Sequence, residues 1–185
     1  MSVDETLLIS EIYRSIQGES TRAGLPCVLV RLAGCNLECS WCDTLYARDE
    51  AAGERTTIDD VLQKVAELHC PRVEVTGGEP LLQAGTCELL RRLCEAGYET
   101  LLETNGSLDI RGVDRRVRRI VDVKCPSSGQ SEGNLWENLS LLTERDEVKF
   151  VIAERSDYDF ARRIVAEHEL IQRCEVIFSP GWARL

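Results

Sequence analysis

Three closely spaced cysteines constrain this chain more than any other feature of its sequence. Cys35, Cys39 and Cys42 directly follow an apolar run, Val28 to Leu32, and are separated by intervals of four and three residues. Thiols on one short loop can converge on a single [4Fe-4S] cluster, which usually takes four cysteine ligands. Because no fourth cysteine stands nearby, we expect one iron to keep an open position, as catalytic metal sites do.

Two other uses of the triplet remain open at this point. A zinc site would need a histidine to complete it, and neither His69 nor His168 has a ligand-like spacing with the cysteines. An electron-transfer cluster would take its fourth thiolate from cysteines that stand singly in apolar or helical stretches, where a free cysteine behaves as a small hydrophobe. These single cysteines are Cys27, Cys70, Cys87, Cys94, Cys125 and Cys174.

The composition favours a small-molecule substrate over nucleic acid or an anionic membrane. The 185 residues, 43% of them hydrophobic, suffice for one domain with a sizeable core. The formal net charge of -10 provides no positive field to gather nucleic acid or anionic lipid. No apolar stretch approaches the ~20 residues that span a bilayer, and the start lacks a secretory signal. We therefore expect a cytoplasmic protein whose cysteines are thiols or metal ligands.

Short apolar runs alternate with amphipathic helical patterns along the chain. The clearest helical pattern spans 58–68 and is opened by Thr57. A second helical pattern stops before Gly97, and a third follows Ser156 with Asp159 as its capping partner. The apolar runs predict buried strands at Val28 to Leu32, Val73 to Val75, Thr100 to Leu102, Ile120 to Val123, Val148 to Ile152, and Val176 to Phe178.

This alternation predicts an α/β fold with a parallel sheet and right-handed crossovers. About six mostly parallel strands suggest an incomplete, TIM-like barrel, although periodicity alone does not separate that from an open α/β sheet. Ligands gather at the carboxyl ends of parallel strands. Three polar segments follow successive strands and should share that rim: 76–80, 103–106 and 122–127.

The cysteine spacing, with the aromatic Trp41 before the third cysteine, resembles the signature of the radical S-adenosylmethionine (SAM) superfamily. The resemblance implies a [4Fe-4S] cluster whose open iron binds the methionyl amine and carboxylate of SAM, and a 5'-deoxyadenosyl radical that abstracts hydrogen from the substrate. It also implies that Thr76-Gly77-Gly78-Glu79-Pro80 binds the methionyl amine. The implied SAM-binding residues are Trp41, Cys42, Asp43, Gly78, Glu79, Glu103, Asn105, Lys124, Ser127 and Ser179.

Three further segments narrow the resemblance to the 7-carboxy-7-deazaguanine synthase family. They are Ile16-Gln17-Gly18-Glu19, the Val30-Arg31-Leu32 run before the first cysteine, and Trp41-Cys42-Asp43-Thr44. The similarity covers residues 7 to 180. It implies a carbon–nitrogen lyase that converts 6-carboxy-5,6,7,8-tetrahydropterin to 7-carboxy-7-deazaguanine with loss of ammonia, in queuosine and 7-deazapurine biosynthesis. Mg²⁺ and a homodimer are further implications of the resemblance.

The matching residues suit a carboxylated pterin. Arg31 can bind the substrate carboxylate with two hydrogen bonds, and Gln17 and Glu19 can bind the ring; we predict these three as catalytic residues. The predicted substrate site adds Ile16, Gly18 and Thr76. Thr44 resembles the family's Mg²⁺ ligand, and Mg²⁺ binds few protein oxygens and completes its shell with substrate and water. Two plainer roles remain open, an ordinary ion pair for Arg31 and a helix cap for Thr44.

Two other functions are compatible with the cysteine spacing alone. One is a radical SAM activase that generates a glycyl radical on a partner protein, and the other is a non-catalytic iron–sulfur redox sensor or electron carrier. Neither of these functions requires Gln17, Glu19 and Thr44. A basic run, Arg111 to Arg119, is typical of a solvated helix face. Its alternative role is a docking patch for an electron donor such as flavodoxin.

The end of the chain departs from the family pattern. Members of the family continue beyond the residues that match Phe178 to Leu185. We expect one radical SAM domain, residues 1–185, that is shortened at its C-terminus relative to the family. Three alternatives then stay open: the protein uses its own terminal carboxylate and Trp182 differently, it dimerises to cover the substrate site, or it is a truncated, weakly active form.

Overall fold

Residues 6–181 form one open sheet of eight strands, with three α-helices packed against it. The structure is a computed structural model and describes residues 6–181; Trp182 and the terminal carboxylate lie outside that range. The strands are β1 (Thr6–Ile16), β2 (Pro26–Leu32), β3 (Glu54–Thr57), β4 (Arg72–Gly77), β5 (Glu99–Thr104), β6 (Arg118–Val123), β7 (Glu147–Ile152) and β8 (Glu175–Pro180). The helices are α1 (Ile58–Glu67), α2 (Thr86–Glu95) and α3 (Arg155–Glu167).

The six predicted strands are confirmed as the parallel part of the sheet. They pair in the order β2-β4-β5-β6-β7-β8, each parallel to its neighbour. Two antiparallel strands extend this arrangement to the order β3-β1-β2, so the sheet ends at β3 and β8 and does not close. The fold is therefore the partial, open form of a TIM-like barrel, as expected for strands joined by helical crossovers.

The two antiparallel strands were not predicted, and their composition explains why. The strand β1 mixes apolar and polar residues over Thr6–Ile16, and its last residues are exposed. The strand β3 is only Glu54–Thr57, with charged residues at an edge of the sheet. Short, charged strands are common at sheet edges because they discourage pairing with other chains, and they leave no apolar run to detect.

Helix boundaries follow local capping chemistry. Thr57 caps α1 as predicted, since its Oγ1 accepts a hydrogen bond of 3.1 Å from the Asp60 N–H. The predicted start of α3 at Ser156 is wrong. The buried Asp157 carboxylate accepts from the N–H groups of Ala153 (2.9 Å) and Glu154 (3.2 Å), so the helix begins one residue before Ser156. A carboxylate at this position satisfies donors that have no partner within the helix.

The predicted helix at the basic run is also wrong. Arg118 and Arg119 belong to β6, and the residues before them form turns. The Arg119 guanidinium and backbone N–H both contact the carboxylate of Asp146, with distances of 2.5 Å and 3.0 Å. Asp146, a buried acid that directly precedes β7, therefore stabilises Arg119 in its strand position. Within residues 6–181, no helix is long and apolar enough to cross a membrane.

The two faces of the sheet differ in polarity, and this difference creates the site. In β4, Val73 and Val75 belong to the apolar core beneath the helices, whereas Glu74 and Thr76 face a cavity on the other side. The same alternation places Asp122 of β6 in the cavity. Side chains along a strand alternate between faces, so one layer of the fold is packed and the other is open to a ligand.

Candidate active site

A cavity of about 720 Å³ opens over the inner face of the sheet and receives most of the predicted site residues. It is bounded by the cysteine loop at the carboxyl ends of the strands and by the first-hairpin loop (residues 17–25), which joins β1 to β2. The predicted residues that line it are Gln17, Gly18, Glu19, Arg31, Cys35, Cys39, Trp41, Cys42, Asp43, Thr44, Thr76, Gly78, Glu103, Asn105 and Lys124.

Backbone hydrogen bonds fix the cysteine loop in a position where its cysteines face the cavity. The Cys35 N–H donates to the Arg48 carbonyl at 3.0 Å, and the Ser40 N–H donates to the Ser128 carbonyl at 3.0 Å. Cys35 Sγ accepts from the Leu37 N–H at 3.5 Å and lies 3.9 Å from the amide nitrogen of Asn105. All three cysteine side chains line the cavity. Donors aimed at a sulfur favour a thiolate over a thiol, so this end of the cavity is prepared for metal-bound sulfur.

The electrostatic surroundings of the cysteine loop also fit the binding of a metal by its thiolates. Burial raises the pKa of the Cys39 thiol, the neighbouring Lys124 ammonium opposes that shift, and Asp122 adds to it. Iron binding deprotonates a coordinating thiol, and a cationic neighbour stabilises the resulting negative charge. Three soft thiolates with a nearby ammonium group therefore fit an iron–sulfur cluster. Within residues 6–181, no three His, Cys, Asp or Glu side chains are arranged to hold a single metal ion.

The two glycines after β4 allow the strand end to approach the cysteine loop closely. A Cβ at Gly78 would lie 2.2 Å from the carbonyl oxygen of Gly34, and one at Gly77 would lie 2.4 Å from that of Leu32. Any side chain at either position would force the loop away from the sheet. The Gly78 backbone consequently borders the cavity directly beside the cysteines.

Glu79 lies behind this wall and does not line the cavity. Its carboxylate is 0% exposed and accepts hydrogen bonds from the Leu81 N–H (2.9 Å), the Thr104 hydroxyl (2.8 Å) and the Asn105 N–H (2.7 Å). Both oxygens are thus engaged within the protein. In this arrangement Glu79 joins the ends of β4 and β5, and its carboxylate does not face the cavity.

Lys124 and Trp41 form a second wall of the rim. The Lys124 Nζ lies 5.6 Å from the centre of the Trp41 ring and 2.9 Å from Asp122 Oδ2. The Trp41 indole donates to Ser127 Oγ at 3.1 Å, and Ser127 donates to Asp157 at 2.6 Å. Ser127 therefore orients Trp41 from behind and does not itself line the cavity. Cation–π contact and ion pairing together keep the Lys124 charge at this rim.

Two more predicted contacts lie away from the cavity. Ile16 is 62% exposed, because the last three residues of β1 extend beyond the packed part of the sheet and are all exposed. Ser179 is buried in β8 beside Val151, and the next residue, Pro180, lines the cavity instead. Ser179 therefore does not line the cavity, although Val151, its partner in the sheet register, does.

Arg31 makes an ion pair and also lines the cavity. Its Nε donates to Glu11 Oε1 at 2.8 Å, and its guanidinium carbon lies 5.9 Å from the Tyr46 ring centre. Tyr46 donates to the same Glu11 oxygen at 2.7 Å. The remaining guanidinium nitrogens have no ion-pair partner within residues 6–181, and Arg31 lines the cavity. Glu11 therefore fixes the orientation of a cation that is still able to bind an anionic ligand.

Thr44 is not used as a helix cap. It precedes a short helical turn, Leu45–Ala47, but its side chain makes no capping bond. Its hydroxyl instead donates to Asp43 Oδ1 at 2.7 Å, and both residues line the cavity beside the last cysteine. A hydroxyl and a carboxylate at this position are hard oxygen donors of the kind that Mg²⁺ prefers.

A charged network in the interior of the cavity was not predicted. Lys149 of β7 is 7% exposed and donates to Glu19 Oε2 at 2.6 Å and to Glu103, with Asp122 Oδ2 at 3.5 Å. Burial opposes its charge, but these acids hold the pKa of Lys149 well above its usual range. The only sequence signal was a lysine at an inward position of an apolar strand, Val148 to Ile152.

The first-hairpin loop is fastened to the amino ends of the parallel strands. The N–H and hydroxyl of Thr21 donate to the buried Glu147 carboxylate at 3.1 Å and 2.5 Å. Arg22 pairs with Glu99 at 2.6 Å, and Glu99 also pairs with Arg72. These contacts close the cavity from below and place Gln17 and Glu19 inside it.

The isolated cysteines lie in the interior of the fold. Burial raises the pKa of Cys27 and of Cys125 to about 12, so both stay thiols at neutral pH. Cys70 and Cys174 are also buried, and Cys87 and Cys94 pack against the core. None of the six lines the cavity where the cysteine triplet lies, so within residues 6–181 no isolated cysteine is placed there as a fourth ligand.

Known proteins resemble this chain over most of its length. Residues 29–165 match the family model of the radical SAM superfamily. A 7-carboxy-7-deazaguanine synthase of Chlorobaculum tepidum is 48% identical over 188 aligned residues, which cover 100% of this chain and 84% of that protein. A protein of the same name from Koribacter versatilis is 46% identical, covering 95% of this chain and 78% of its own length.

A solved structure shares the fold. The crystal structure of QueE from Escherichia coli superposes with a TM-score of 0.73 at 22% sequence identity, covering 95% of this chain and 84% of that one. This likeness supports the partial barrel and its orientation of strands. The identities of the two bacterial relatives carry the assignment to a family.

Proposed function

The chain belongs to the radical SAM superfamily and, within it, to the 7-carboxy-7-deazaguanine synthases, and from this we propose that it converts 6-carboxy-5,6,7,8-tetrahydropterin to 7-carboxy-7-deazaguanine. The reaction loses ammonia and belongs to queuosine and 7-deazapurine biosynthesis. The single observation that carries the proposal is that one cavity holds both the open cysteine triplet and Arg31, Gln17 and Glu19. A redox carrier or a protein activase would have no use for that second group.

The rim of the cavity is the place for the [4Fe-4S] cluster and SAM. Cys35, Cys39 and Cys42 would hold the cluster, which with SAM supplies a carbon radical that abstracts hydrogen from the substrate. The Gly78 backbone offers a carbonyl to the methionyl amine, and Asn105 offers an amide. Lys124 keeps a positive charge beside the thiolates. The chain's own contribution at the rim is orientation and charge balance.

The interior of the cavity is the place for the pterin. Arg31, held by Glu11, binds the substrate carboxylate, and Thr76 offers a hydroxyl that now donates to Glu103 at 3.3 Å. Gln17 and Glu19 reach the ring from the first-hairpin loop. Lys149, between Glu19 and Glu103, keeps its positive charge and would donate a hydrogen bond to the ring.

Mg²⁺ would bind at Thr44, the rim position beside the last cysteine. The Thr44 hydroxyl and the adjacent Asp43 carboxylate face the cavity, and the substrate carboxylate would complete the shell with water. The ion would neutralise that carboxylate together with Arg31. This would orient the substrate toward the rim.

The remaining features of the proposal follow from family membership. We take residues 1–185 as one radical SAM domain that works as a cytoplasmic homodimer and receives single electrons from a donor such as flavodoxin. Within the basic run, Arg111 and Arg116 are exposed but pair with Asp109 and Asp114. Among the described residues, Arg115 is then the one exposed arginine of the run without an ion pair, which leaves little free positive charge for docking such a donor.

An anaerobic reconstitution tests the proposed function. The protein, loaded with iron and sulfide and reduced with dithionite, is incubated with SAM, Mg²⁺ and the carboxypterin. The expected result is a deazapurine chromophore together with 5'-deoxyadenosine, and a change in the electron paramagnetic resonance spectrum of the reduced cluster when SAM is added. A spectrum that ignores SAM, with no 5'-deoxyadenosine, would identify an electron carrier. A radical on an added polypeptide, without deazapurine, would identify an activase.

A further inference from the structure

Glu74 is a buried acid that has no role in the proposed function. It lies in the middle of β4, is 2% exposed, and lines the cavity. Its one side-chain partner is Gln17, whose amide Nε2 donates to Glu74 Oε2. The Gln17 Oε1 in turn accepts from the Glu19 N–H at 3.2 Å, so the amide cannot turn over without losing both bonds.

The charges in the interior do not balance at Glu74. Glu19 and Glu103 both pair with Lys149, and Asp122 pairs with Lys124. Glu74 makes no ion pair among the residues that the structure describes. A buried acid that lacks a cation either takes up a proton or receives donors from a ligand.

The electrostatic surroundings of Glu74 agree with this imbalance. Burial and, after it, the Glu103 carboxylate raise the pKa of Glu74 to about 8, against the opposing effects of Lys149 and Arg31. Near neutral pH the free enzyme would therefore hold Glu74 mostly as the acid. A ligand that brings hydrogen-bond donors would convert it to the carboxylate and gain a charge-assisted contact.

The position of Glu74 selects one end of the pterin. In the sheet register, Arg31 is paired with Thr76 and Leu29 with Glu74, so Glu74 lies one inward-facing step farther from the cysteine rim than Arg31 does. A 6-carboxypterin carries its carboxylate at one end of the bicyclic ring. The other end is a 2-amino-4-oxopyrimidine, whose adjacent N3–H and 2-amino groups match the two oxygens of a carboxylate.

We propose that Glu74 recognises the 2-amino-4-oxopyrimidine edge of the substrate and determines the enzyme's specificity for pterins. The proposal rests on the proposed function, and it names the residue that distinguishes a pterin from a pteridine lacking the 2-amino group. Arg31 at the rim side and Glu74 at the deep side then fix both ends of the ring. Gln17 holds the Glu74 carboxyl group in place and leaves lone pairs on both oxygens for the ligand.

Equilibrium binding of two stable probes tests this role. The reconstituted full chain is titrated with 6-carboxypterin and with 6-carboxylumazine, in which an oxygen replaces the 2-amino group, and ring fluorescence gives the Kd. We expect the wild type to bind the pterin about 10- to 100-fold more tightly, as for hydrogen bonds to a charged group. In Glu74→Gln this ratio should fall to about 1, because the amide presents only one acceptor oxygen.

Two further variants make the test decisive. Glu74→Asp keeps the charge but withdraws the carboxylate, so an intermediate ratio is expected. Glu95→Gln, on the exposed side of α2, is the matched control and should keep the wild-type ratio. If folded Glu74→Gln or Glu74→Asp keeps the full preference for the pterin, the proposal is overturned. If the wild type binds neither probe and makes no deazapurine, the proposed function itself is wrong.

Discussion

Lys149 Nζ lies 2.6 Å from Glu19 Oε2, which joins β7 to the first-hairpin loop across 130 residues of sequence. The same ammonium group donates to Glu103 and lies 3.5 Å from Asp122. One buried cation therefore compensates acids from three separate elements and keeps the loop over the cavity. Removing one partner from such a group leaves the others buried and uncompensated.

Lys149→Met should lower both stability and activity. The substitution fills a similar volume but leaves Glu103 and Glu19 without their cation, and we expect a loss of about 3 kcal/mol in the free energy of unfolding. Urea denaturation measures that loss, and product assays should show little turnover. Adding Glu103→Gln to Lys149→Met should restore part of the stability and none of the activity. An unchanged denaturation midpoint in Lys149→Met would show that the network carries no net stabilisation.

Thr21→Val should weaken substrate binding more than it slows the chemical step. The Thr21 hydroxyl fastens the first-hairpin loop to the buried Glu147 carboxylate, and the loop carries Gln17 and Glu19. Without that bond the substrate must order the loop on binding, so we expect KM to rise about 10-fold with kcat nearly unchanged. Thr21→Ser keeps the hydroxyl and should behave as the wild type. A lower kcat at constant KM in Thr21→Val would assign the residue a different role.

Stability should fall as pH rises through neutrality, because of Glu74. The pKa of Glu74 is raised to about 8 in the folded chain, mainly by burial, whereas an unfolded glutamate titrates near about 4.3. Between these values the folded state keeps a proton that the unfolded state has lost, so the free energy of unfolding decreases with pH and levels above about 8. Glu74→Gln removes this dependence. The variant should gain roughly 2–4 kcal/mol over the wild type at pH 8.5 and little at pH 5, as measured by urea denaturation.

Chelation of Mg²⁺ should reduce deazapurine formation more than it reduces SAM cleavage. If Thr44 supplies an oxygen ligand, Thr44→Val should require about 10-fold more Mg²⁺ for half-maximal activity. Ser140→Ala, which removes an exposed hydroxyl bonded only to the Glu137 carbonyl, should keep the wild-type requirement. Equal Mg²⁺ requirements in Thr44→Val and the wild type would remove Thr44 from the metal site.

The parallel strands and the cysteine rim were predictable because each follows from local pattern. An apolar run indicates a buried strand, and a loop after it indicates the rim, so Arg31 and Thr44 could be placed beside the cysteines from the sequence. The strand β3 could not, because Glu54–Thr57 has no apolar residue that would mark it as a strand before its pairing with β1 is known. Its position depends on tertiary pairing, which local composition does not encode.

The interior of the cavity was harder to predict for a different reason. Glu74 and Lys149 each lie inside a short apolar run. A single polar residue in such a run does not indicate a binding site. Only the strand register shows that they face the same cavity as Glu103. The reverse holds for Glu79, which belongs to a polar segment at the rim but faces the protein. Side-chain direction at strand ends follows register and turn geometry.

Arg31→Ala gives the most direct test of the account, because it separates the radical chemistry at the rim from the substrate site. The measurement is the ratio of 7-carboxy-7-deazaguanine to 5'-deoxyadenosine formed by the reconstituted wild type and the variant under identical conditions. We predict that Arg31→Ala loses at least about 100-fold of deazapurine formation, as expected when a charged hydrogen-bonding partner is removed, while uncoupled SAM cleavage continues. Normal deazapurine formation by Arg31→Ala would contradict the assignment of the cavity to the carboxypterin.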